Sequence, residues 1–176
     1  RKRLPKTQTL AIPAAAEHLT AIMAEALFQR KEVMGEADPR MFAMYAWHAM
    51  EEMEHKAVAF DVMQKVAKVW YPRRVMALLQ TTLSFNITVL TFANAMLRQD
   101  GFSRWQRLKL FAKGLAWVYG PGGMFTGTWR SYVRYFKPGF HPWQEPPTPV
   151  YALWLDTFNR TGDPVEAGRV VYAAAT

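Results

Sequence analysis

At 176 residues, 51% of them hydrophobic and 20% charged, the chain is the size of one domain, able to bury a core and too apolar to be a disordered tail. It has no cysteine, which excludes disulfides and thiolate metal sites and suits a cytoplasmic protein, and its formal charge of +8 favours anionic partners. It shows no signal peptide, and it begins at RKRLPK without an initiator Met, which reads as the C-terminal part of a longer protein.

Residues 4–34 carry apolar side chains at helical spacing, with Pro13 as a kink or reset. Glu17 sits there among Ala14, Ala15, Ala21, Ile22 and Ala24, small residues that let another helix approach closely. Gly35 ends the run, and Asp38-Pro39 supplies an N-cap and a first-turn proline for a second long helix over 38–70. The short turn between them predicts antiparallel neighbours. It brings Glu17 to within about 9 Å, along the axis, of the level of Glu52.

The second helix organises the reading. On a helical wheel His48, Glu52 and His55 fall at about 0°, 40° and −20°, so their side chains point one way, and Ala59, Val62, Val66 and Val69 continue the stripe. That alignment predicts a polar cluster at one end of an apolar face turned into a bundle. Two imidazoles and a carboxylate buried there need a partner, and a metal ion is one; the alternative is a solvated face of Glu51, Glu52, Glu54 and Lys56 with His48 as a core histidine. Glu51, Glu54 and Asp61 could take the second ring N–H of ligating histidines, the last two only for residues of another helix. His18 is turned about 100° from Glu17 and is left out of the ligand set, and Glu25 is assigned to the surface.

The segments EHLTAIMAEALF, WHAMEEMEHKAVAFDV and YFKPGFHPW resemble the bacterial family labelled "predicted metal-dependent hydrolase", over about residues 1–143. The His-x-x-x-Glu-x-x-His spacing also resembles that of the p-aminobenzoate N-oxygenase group of diiron enzymes. These resemblances imply a ferritin-like helical bundle in which Glu17, Glu52 and His55 form half of a dimetal site and His48 adds a nitrogen ligand. They imply two metal ions, Fe first and Mn or Zn as alternatives, with Glu17 and Glu52 the catalytic carboxylates. No second Glu-x-x-His occurs in the chain, so the other half is expected from residues preceding Arg1 or from a second chain in a homodimer.

Beyond Pro72-Arg73-Arg74, taken to end the second helix, residues 75–97 run without a charge but hold eight polar side chains. Three fates stay open: a transmembrane span, a helix on a membrane or partner, or a buried helix. Residues 98–137 carry eight basic side chains against Asp100, interleaved with aromatics, and Gly120-Pro121-Gly122-Gly123 divides them into two helices. An anionic membrane surface suits this pattern better than nucleic acid, with a solvated basic face as the plain alternative. Residues 137–149 read as an extended proline-rich crossing in which His141 has no carboxylate nearby. The tail offers two short helices, about 151–159 and one opened by Asp163-Pro164.

The expected protein is all-α, a partial ferritin-like bundle: a metal-binding helical pair at 1–72, an apolar and basic-aromatic helical extension at 73–143 and a tail at 144–176. Its expected function, in order, is O₂-dependent oxidation of a hydrophobic or amine-bearing small molecule, metal-dependent hydrolysis of an ester or phosphate, or a non-enzymatic membrane-associated role. Its expected place is the cytoplasm or the inner membrane's inner surface.

Overall fold

The computed structural model describes residues 6–29, 34, 36–145 and 148–174, and among them the regular structure is helical with no strand. In chain order the helices are α1 (Lys6–Gln29), α2 (Pro39–His55), α3 (Val58–Lys65), α4 (Tyr71–Gln99), α5 (Arg104–Tyr119), α6 (Trp129–Arg134), α7 (Pro149–Thr161) and α8 (Pro164–Ala174), with a 3₁₀ turn at Pro142–Gln144. The all-α expectation holds. The expected limits of the first helix, at residue 4 and near Gly35, lie outside the described residues, although Met34 is already in a turn.

α1 is the central helix, and its composition makes it so. Ala11, Ala14, Ala15, His18, Ile22 and Ala26 recur at helical spacing and are all buried, so α2, α3 and α4 can come close to its axis. Its N-terminal half packs on Phe60 and Met63 of α3, Ala77 and Leu78 of α4, and Tyr135 and Phe140. Its C-terminal half packs, through Ala24 and Phe28, on Ala46, Ala49 and Met50 of α2, backed by Trp154 of α7 and Val171 of α8. Gly162 ends α7 in the left-handed conformation (φ +66°), turning the chain back into α8. Gly168 then faces α2, where a Cβ would stand 3.3 Å from the Ala43 Cα.

The turn into α2 follows its sequence signals: the Asp38 carboxylate accepts the Arg40 N–H at 2.9 Å, and Pro39 opens the helix. The expected single helix over 38–70 is corrected. It breaks at Lys56 and Ala57, with no Gly or Pro to mark the place. In an unbroken helix the Ala59 N–H would donate to the His55 carbonyl. Here it donates to Glu17 Oε2 of α1 at 3.1 Å, and the Lys56 ammonium is drawn off to the Glu145 carbonyl at 2.6 Å. A carboxylate from another helix has replaced the next rung of the ladder. It also caps α3, whose own N-cap, Ala57, offers no side-chain bond. Glu17→Ala should therefore cost about 1 kcal/mol, the usual loss for an N-cap, read as a lower denaturant midpoint.

Pro72-Arg73-Arg74 opens α4 instead of closing the preceding helix. Arg74 is the clasp between α4 and the segment YFKPGF. Its guanidinium donates to the carbonyls of Tyr135 (2.9 Å), Lys137 (2.6 Å) and Phe140 (3.4 Å), and the Tyr71 hydroxyl adds a bond to the Phe136 carbonyl at 2.6 Å. Past this clasp α4 leaves the bundle. Its buried residues are Arg74, Ala77 and Leu78, all in the first turns, and α5 has none. The reading of residues 75–97 as a buried helix is thereby overturned. The glycine-proline break between two helices holds, with α5 ending at Tyr119 and α6 starting at Trp129.

Candidate functional site

Antiparallel packing of α1 and α2 sets which residues meet. Thr20 and Glu52 are the pair that meets: the Thr20 hydroxyl donates to Glu52 Oε2 at 2.5 Å. Glu17, one turn further from the connection, passes Glu52 and meets the start of α3 instead.

With Oε2 held by Thr20, Glu52 presents Oε1 to His48 Nε2 at 3.6 Å, one helical turn back on α2. The other ring nitrogen, His48 Nδ1, lies 4.0 Å from Glu51 Oε2. The imidazole thus stands between two carboxylates. Donors bound at 2.0–2.1 Å to one tetrahedral cation are about 3.4 Å apart, so His48 Nε2 and Glu52 Oε1 are spaced as two neighbours in a coordination sphere. The hydroxyl on the far oxygen of Glu52 is the kind of partner that orients a metal ligand, whereas Glu51 stands beyond hydrogen-bond reach of the far nitrogen of His48.

The remaining predicted ligands do not join them. Glu17 is engaged with the Ala59 N–H, and His55, the last residue of α2, is exposed. Among the described residues no group of three or more His, Asp or Glu side chains is gathered as a metal would require. The expectation that this face looks into the bundle is corrected for most of its length: the His48 side chain is 61% exposed and Val62 and Val66 are exposed, whereas Val69 at the end of the stripe is buried. The break at 56–57 ends the stripe's continuity, and α1, α7 and α8 cover the opposite side of α2.

The carboxylates assigned to supporting roles serve elsewhere. Glu54 accepts from the Tyr151 hydroxyl at 2.8 Å. Asp61 pairs with Lys65 at 3.1 Å and with His141 Nε2 at 3.0 Å. The last contact corrects the reading of His141 as lacking a carboxylate: the partner arrives from α3, 80 positions earlier in the chain. These bonds, His141 first and Lys65 next, hold the Asp61 carboxyl below its ordinary range.

Sequence reasoning missed His18. Turned away from Glu17, it is buried against the rings of Tyr135 and Phe140, with centroids 4.6 and 5.4 Å away. Burial lowers its pKa from 6.5 to about 4 against the opposing hydrogen bond to the Ser131 backbone. Among the described residues its Nε2 has no hydrogen-bond partner, and it lies beside a cavity of about 60 Å³, room for a few waters, that Lys56, Glu25 and Glu145 also line. Glu25, assigned to the surface from the sequence, is half-buried there and accepts from the Ser131 hydroxyl at 3.4 Å. The signal was present in the spacing: His18 falls in the same stripe as Ala11, Ala15 and Ile22.

The fold and this pair define a helical protein with an oriented imidazole–carboxylate couple on one helix face. The family described as "Predicted metal-dependent hydrolase" matches residues 1–146, and the chain belongs to it. Neither the curated proteins nor the solved structures include a match to the chain.

Proposed function

We propose that the protein is a metal-dependent hydrolase of an ester or phosphate, and that His48 Nε2 and Glu52 Oε1 hold its cation. The observation that carries this reading is the 3.6 Å spacing of those two atoms, with Thr20 fixing the second oxygen of the carboxylate. Membership of the family supports the reaction class. When bound, a divalent cation supplies acidification of water to near neutral pH.

The residues do the rest. Thr20 spends its hydroxyl proton on Glu52 Oε2, which leaves Oε1 as the metal-facing oxygen. The Glu51 carboxylate lies 4.0 Å from His48 Nδ1, on the far side of the ring from Glu52, and a proton on Nδ1 would leave the Nε2 lone pair for a cation. A groove of about 430 Å³ runs beside the same helix, bounded by Arg40, Met44, Trp47, Phe158, Pro164 and Val165. Its guanidinium suits a phosphate or carboxylate, and its apolar walls suit an organic ester.

Metal analysis of the protein purified without chelator tests the reading. Wild type should carry metal, and His48→Ala with Glu52→Ala should lose it while keeping its helical signal, since His48 is exposed and Glu52 only half-buried. Thr20→Val should weaken metal affinity by roughly 10- to 100-fold, as removal of a supporting partner does. Metal retained by the double variant would sink the assignment. Zinc or manganese together with esterase or phosphatase activity supports hydrolysis, whereas iron with an oxygen-dependent absorption change would transfer the site to O₂ chemistry.

A further inference from the structure

The largest feature that the metal reading leaves unused is the arm formed by α4 and α5. By length and composition α1 (Thr7–Phe28) and α4 (Tyr71–Gln99) could each cross a membrane, but they differ in setting: 39% of the apolar window is buried in α1 and 11% in α4. α1 has found its partners within the chain. α4 has not.

At 1.5 Å per residue, α4 is about 44 Å long. α5 returns along its outer part, fixed by bonds from Arg107 to Asn94 Oδ1 (2.8 Å) and from the Tyr119 hydroxyl to Asn86 Oδ1. Each helix then displays an apolar stripe that the described residues leave largely exposed. On α4 the stripe is Phe85, Val89, Phe92 and Met96, spaced i, i+4, i+7, i+11 and all exposed. On α5 it is Trp105, Leu108, Leu115 and Tyr119, from 41% to 73% exposed, with Lys109 and Lys113 flanking it. A separate stripe of Gln80, Ser84, Thr88 and Thr91 gives α4 a polar face as well.

From residue 98 to 113 the arm bears Arg98, Arg104, Arg107, Lys109 and Lys113 against Asp100 alone. That charge chooses among occupants. A second copy would set like charge against like, and crossing a bilayer would carry the cations of α5 into hydrocarbon at several kcal/mol each. A layer with acyl chains beneath anionic headgroups matches apolar stripes edged with Lys, Arg, Trp and Tyr. We infer that the α4–α5 arm docks the protein on the surface of an anionic bilayer, lying in the headgroup plane.

Flotation with vesicles of phosphatidylcholine alone, or with about one-third phosphatidylglycerol, tests this at low and high salt. The protein should float with the anionic vesicles, less at high salt and little with the neutral ones. Lys109→Glu with Lys113→Glu should lower the partition coefficient at least about tenfold, given roughly 1 kcal/mol per basic residue at such a surface. Phe92→Glu with Trp105→Glu should abolish binding to both vesicle types; all four positions are exposed, so circular dichroism should stay unchanged. No flotation with anionic vesicles, flotation unaffected by either pair, or capture of a DNA or RNA oligonucleotide in place of vesicles would overturn the inference.

Discussion

Arg74→Met should lower the unfolding free energy by about 3–5 kcal/mol, one of the largest single losses available in this fold. The side chain is 3% exposed and donates to three backbone carbonyls, those of Tyr135, Lys137 and Phe140. Its guanidinium lies 5.2–5.8 Å from the ring centres of Phe60, Tyr71, Tyr135 and Phe140, so it is desolvated and stacked as well as bonded. Methionine fills much of the volume but leaves the carbonyls without donors, and each orphaned buried acceptor costs about 1–3 kcal/mol. The losses are not additive because the segment can relax toward water. Arg74→Lys should recover part of the loss, since one ammonium cannot reproduce the planar fork. Chemical denaturation followed by circular dichroism measures both. A loss below about 0.5 kcal/mol for Arg74→Met, the level of an ordinary surface change, would remove Arg74 as the clasp.

Lowering the pH from 7 to 5 should destabilise the protein through His18 by about 2 kcal/mol. The unfolded chain takes up a proton at this residue near pH 6.5, the folded chain only near pH 4, because the site is buried and Arg74 and Lys56 add positive charge nearby. Between those values the unfolded state holds the extra proton, so stability falls as pH falls, by about 1.4 kcal/mol per unit. Above pH 6.5 both states are neutral and the contribution is flat. Below pH 4 both are charged and the loss is complete, on the order of 3 kcal/mol. His18→Phe keeps an aromatic ring among Tyr135 and Phe140 and removes the titration. The stability difference between wild type and His18→Phe, followed across pH, isolates this residue from the carboxylates. A difference constant from pH 7 to 5 would mean that His18 titrates alike in both states.

Both residues show where reading from sequence stops. His18 points away from Glu17, and that direction is what buries it. Arg73 and Arg74 look alike beside an apolar run, and only the return of the chain 61 to 66 positions later makes Arg74 a structural centre. The helix break at Lys56 and Ala57 has the same origin, because the acceptor that interrupts the ladder is Glu17, 42 positions before Ala59.

What the sequence determined alone lies in short runs of consecutive residues. Asp38-Pro39 starts α2, Gly120 to Gly123 separates α5 from α6, and Asp163-Pro164 opens α8; each acts through a cap, a fixed φ or a missing donor within one turn. The same locality puts His48 and Glu52 on one face of α2, so the couple at the centre of the proposed site could be found from spacing. Tertiary structure decided which faces meet. It left the His48 face open, sent Glu17 to α3, gave Asp61 to His141 and left most of α4 outside the core. Periodicity marks a face as apolar, but burial depends on which distant element arrives to cover it, and that is settled by packing around α1.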